Sequence, residues 1–97
     1  MKTDKLIQIS ELCVHYHLEP SFFDEIEFYE LIEVQSFSNG KFIHRKQLGT
    51  LEKIIRLHDE LEINMQGIDV IFEMMSKIKK LKDELRETRS RLGLYEG

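Results

Sequence analysis

A chain of 97 residues with 41% hydrophobic content suits one compact domain, with an extended helix, and leaves little room for a second core or an enzyme's deep pocket. Its net charge of −4 is opposite to the balance that phosphate binding favours, so it weighs against nucleic acid unless a local basic patch overrules the total. With no run of about 18 or more apolar residues, no signal-peptide pattern after Met1-Lys2-Thr3-Asp4-Lys5 and a lone Cys13, the expectation is a soluble cytoplasmic protein without membrane contact.

The chain reads as helices around one small hairpin. A short strand-like run, Leu6-Ile7-Gln8-Ile9, leads to Ser10, the expected N-cap of a helix reaching about residue 18. Glu19-Pro20 starts a second helix over 20–29, because proline is tolerated at the first helical position and restricts the residue before it. Phe22, Phe23, Ile26 and Tyr29 form its inward face by their spacing. Two short helices joined tightly make a helix-turn-helix. A hairpin, the wing, follows over 31–37 and 41–43, with Asn39-Gly40 supplying the positive φ angles of its turn. A third helix is expected over 45–61, with Leu48, Leu51, Ile54, Ile55 and Leu61 in helical period. Asn64 caps the last helix, which runs to about residue 92 and stops at Gly93; Gly67 costs it some helix propensity.

In that last helix Ile71, Ile78, Leu85 and Leu92 recur every seven residues, with Met74, Leu81 and Thr88 between them, an a/d seam for a homodimer. Ile68, Phe72 and Met75 lie partly off the seam and are expected to pack on the domain. Glu73 with Lys77 and Glu87 with Arg91 add favourable i,i+4 pairs. The flanking positions Lys77, Lys82, Arg89 and Arg91 are basic, so an antiparallel or offset dimer is easier to build than a parallel one in register. Residues 1–62 are therefore read as a winged helix-turn-helix domain and 63–97 as a long helix for dimerisation.

Little points to catalysis or to a cofactor. Cys13, His15 and His17 fall on opposite sides of a helix and cannot converge on a metal, and Cys13 suits a small apolar position. His58 is expected at the core edge. The five glycines are scattered and form no phosphate loop, and the carboxylates read as surface charge; a non-enzyme is expected. The charges are unevenly placed, however. Residues 21–33 carry Asp24, Glu25, Glu27, Glu30 and Glu33 without a Lys or Arg, while residues 77–91 hold seven basic and three acidic side chains. Lys41, Arg45 and Lys46 flank the wing.

The order of strand, helix-turn-helix, wing, helix and long helix resembles the MerR-like winged-helix class, and more closely the CbpM-type chaperone modulators. The stretches that carry the resemblance are Ile9-Ser10-Glu11-Leu12-Cys13, Leu31-Ile32-Glu33, Leu57-His58-Asp59-Glu60-Leu61 and Ile63-Asn64-Met65-Gln66-Gly67-Ile68-Asp69-Val70-Ile71. The resemblance implies a mainly α fold, a MerR-like winged helix-turn-helix with a small β-hairpin and a long C-terminal helix. It also implies binding to the J-domain of a DnaJ/CbpA-like co-chaperone, restraining that protein's work with Hsp70. DNA-binding relatives carry an Arg-Tyr-Tyr-Glu-like stretch where this chain reads Asp24-Glu25-Ile26-Glu27. Since such proteins gain affinity by releasing counterions with Lys and Arg, an acidic helix in that place opposes duplex binding. The candidate partner face is thus Asp24, Glu25, Glu27, Glu30 and Glu33. The alternative, a MerR-like DNA-binding transcriptional regulator, would use Lys41, Arg45 and Lys46.

Overall fold

The computed structural model describes residues 5–93. Residues 1–4, and residues 94–97 at the end of the expected 63–97 segment, lie outside that range. The elements are β1 (Leu6–Gln8), α1 (Ile9–Tyr16), α2 (Pro20–Phe28), β2 (Gln35–Phe37), β3 (Gly40–His44), a 3-10 turn (Arg45–Gln47), α3 (Leu48–Asp59) and α4 (Met65–Arg91). The expected mainly helical, winged helix-turn-helix architecture is the one observed.

The strand-like run before α1 joins the wing in one antiparallel sheet, ordered β1-β3-β2, with Ile7 opposite Ile43 and Gln35 opposite Phe42. This pairing fixes the start of α1. Gln8, opposite Phe42, is the N-cap and makes no side-chain cap bond, so Ser10 lies inside the first turn instead of capping it. The first wing strand is shorter than expected, because residues 31–34 form an irregular turn that buries Ile32. At the wing turn Gly40 has φ 134, and any β-carbon there would collide with the Gln8 side-chain amide, which donates to the Asn39 carbonyl at 2.9 Å.

The core gathers Leu12, Phe22, Phe23, Ile26, Ile32, Ile43, Leu51, Ile54, Met65 and Ile68 from every helix, the central strand and the turn after α2. Each large side chain removed from water contributes about 2 kcal/mol. Tyr29 is half-buried against this cluster as the residue following α2. The third helix begins with the 3-10 turn, where His44 Nδ1 accepts the Lys46 amide at 3.0 Å, and ends at Asp59. Leu61, expected on its inner face, is therefore 61% exposed beyond its end.

Asn64 caps α4 as expected, its Oδ1 accepting the Gly67 amide at 2.8 Å. Met65 and Ile68 are buried and Phe72 packs against the core. From Glu73 to Gly93 every residue is exposed. Met75 thus projects past the domain instead of packing on it, because the small core reaches only the first two turns. Gly93, with φ 75, follows the end of the helix. Of the expected i,i+4 pairs, Glu87–Arg91 is present at 3.8 Å, while Glu73 and Lys77 form no ion pair. Among the described residues no helix is long and apolar enough to cross a membrane.

Candidate functional site

The acidic residues of α2 follow from a simple division of the helix. Phe22, Phe23 and Ile26 turn inward, which leaves Asp24, Glu25 and Glu27 on the outside. The five candidate carboxylates then separate. Glu27 Oε1 accepts from Lys41 Nζ of β3 at 3.0 Å, and Asp24 lies close enough for its charge to act on the same ammonium. Glu25 borders a cleft with His17, Phe22 and His58. Glu30 sits in the turn after α2 with φ 55, and Glu33 is tied to the 3-10 turn, its amide and carbonyl bonding the Gln47 side chain at 3.0 Å each.

The same contact divides the basic candidates. Lys41, expected on a DNA-facing wing, is matched by a carboxylate of the helix that would have to enter the groove. The hydrogen bond to Glu27 and then the charge of Glu27, with Asp24 adding to them, hold the Lys41 ammonium above its ordinary pKa. Arg45 and Lys46 are exposed in the 3-10 turn at the other end of β3. The wing therefore presents no continuous cationic row beside α2. The sequence reading missed this pairing, since Glu27 and Lys41 are 14 residues apart.

Lys41 also lines a cleft of about 420 Å³ between the β1–α1 junction, the start of α2 and the wing, together with Ile9, Cys13, Pro20 and Gly40. Cys13 packs at the core margin, as expected of a small apolar side chain; burial, and then the charge of Glu19, raise its thiol pKa. His58 stands at the core edge, its ring meeting Phe22 edge-on at 5.2 Å and its Nδ1 lying 3.0 Å from Asp59. Phe28, on the far side of α2 from the buried face, is 77% exposed and touches Tyr29 edge-on.

Along α4, the seam candidates Met74, Ile78, Leu81, Leu85 and Leu92 are between 51% and 67% exposed, and Ile71 is half-buried near the domain. Lys79 and Arg86 both bind Asp83, at 3.3 and 3.1 Å, beside this row. Among the described residues nothing covers this exposed stripe.

A sheet-bound helix-turn-helix with a wing and one projecting helix defines a protein of the winged helix-turn-helix class. The family model for MerR HTH family regulatory proteins matches residues 7–90, and the chain belongs to that family. It is similar to the chaperone modulatory protein CbpM of Pseudomonas entomophila (strain L48), at 30% identity over 46 residues, covering 47% of this chain and 46% of that protein. The matched part thus spans about half the length of that relative. No solved structure matches the chain.

Proposed function

We propose that the protein is a non-enzymatic binding module that takes the J-domain of a DnaJ-like co-chaperone in the cytoplasm and restrains its action with Hsp70. The observation that carries this reading is the acidic α2: the helix placed where a DNA reader needs cations bears outward carboxylates, and its one neighbouring wing cation is already matched by Glu27. Similarity to a chaperone modulatory protein supports the choice of partner class. Asp24, Glu25, Glu27, Glu30 and Glu33 supply the charge that steers a basic protein surface into register. Residues 1–62 carry this contact, and 63–97 join two copies through Ile71, Met74, Ile78, Leu81, Leu85 and Leu92.

Titration calorimetry of the protein with the J-domains of host co-chaperones, with a mixed DNA duplex as control, tests the reading at about 0.15 M salt. Micromolar or tighter J-domain binding with a silent duplex is expected, and the double variant Asp24→Lys, Glu27→Lys should weaken it about tenfold or more. Saturable duplex binding that falls steeply with salt, together with J-domain silence, would establish a DNA-binding regulator working through Lys41, Arg45 and Lys46.

A further inference from the structure

Resting on the partner class just proposed, we infer that Lys41 is an internal placeholder for a cation of the partner, and that the cleft it walls receives an apolar side chain of the same partner helix. Ile9, Cys13, Pro20 and Gly40 line that cleft, and its volume of about 420 Å³ suits one or two side chains. Glu27 bonds Lys41, which walls the cleft, and the charge of Asp24 acts on the same ammonium, so among the described residues two carboxylates meet one cation beside the cleft and leave it a net negative charge while Lys41 is in place. The Lys41–Glu27 contact is weak in the sense that matters for exchange. Its side chains are 51% and 40% exposed, and an ion pair in that setting is worth little and is easily traded. The lysine is a compact charge on a flexible stem, so it swings aside without disturbing the sheet.

The occupant that fits is a basic amphipathic helix with a Lys or Arg one turn from an apolar residue, the spacing at which two side chains share a face. The cation meets Glu27 and Asp24, and the apolar group enters beside the stem of Lys41. A nucleic acid does not fit, because the same carboxylates repel phosphate. The placement also explains why carboxylates and cleft adjoin: Pro20 begins α2 at the cleft, and Asp24 and Glu27 follow at one-turn intervals along it.

Two measurements on the full chain with the J-domain decide the matter. Lys41→Gln, by leaving both carboxylates unmatched, should tighten J-domain binding about two- to fivefold, whereas Glu27→Gln should weaken it. In the unaltered protein, Cys13 should react with a small alkylating agent when free and be protected when the J-domain is bound. Binding that is unchanged or weakened by Lys41→Gln, or Cys13 labelled equally fast in the complex, overturns the inference while the J-domain reading stands. J-domain silence in the unaltered protein overturns both. Loss of duplex binding in Lys41→Gln would instead give the lysine to phosphate.

Discussion

At Gly67 helix propensity and packing give opposite answers. In an open helix, alanine in place of glycine gains about 1 kcal/mol. Here the added carbon would stand 2.8 Å from Ile63 Cγ2 and 3.2 Å from Asn64 Oδ1, the cap itself. Gly67→Ala is therefore expected to lower stability in urea melts, and Asn64→Ala to cost about 1 kcal/mol through the lost cap. The cap was legible because Asn64 and the Gly67 amide are three residues apart and answer to a local rule. Ser10 obeyed the same rule in sequence, yet the start of α1 was settled by Gln8 pairing across the sheet. Long-range polar pairs were equally hidden. Tyr16 donates to Glu52 Oε2 at 2.7 Å across 36 residues, a bond that raises the phenol's pKa, and neither residue's neighbours announce it.

The helices themselves were visible through their apolar spacing, but their ends were not. The residues His17, Glu30 and Glu62 take left-handed conformations, with φ of 59, 55 and 54, in the turns after α1, α2 and α3. Glycine usually marks such positions, and without it the expected ends overran by one or two residues. Leu61 falls beyond the end of α3 for that reason. In α4 the apolar row was legible, whereas the point at which the core stops supporting it was a matter of domain size. Beyond Phe72 the helix relies on its own side chains, chiefly Asp83 between Lys79 and Arg86. The hydrogen bond from Lys79, and then that from Arg86, depress the Asp83 pKa. A depressed carboxylate stabilises the helix above its ordinary range and loses that contribution as pH falls through the folded value. Asp83→Asn should therefore quicken amide exchange over residues 79–91 at neutral pH, and the difference from the unaltered protein should vanish well below about pH 4.

For the whole molecule, with extents of 54 × 37 × 20 Å, the flanks of the row favour one arrangement of the proposed dimer over another. An antiparallel pairing that sets Ile78 against Leu81 of the partner subunit also sets Met74 against Leu85 of the partner subunit. It brings Lys77 to Glu84 of the partner subunit, twice by symmetry, and keeps Lys82 beside an apolar methionine. The parallel arrangement in register brings Lys77 to Lys82 of the partner subunit instead. On the dimer proposed above, Lys77→Glu should weaken association about three- to tenfold in sedimentation equilibrium, and adding Glu84→Lys should restore it. Stronger association of Lys77→Glu alone would assign the parallel form. The one-ended mounting of α4 has a further consequence. Its first turns take their order from the core at any dilution, whereas in the proposed dimer the exposed turns are also held by a second chain, and that support follows mass action. The far half of the helix is then a gauge of abundance, firm when the protein is plentiful and frayed when it is scarce.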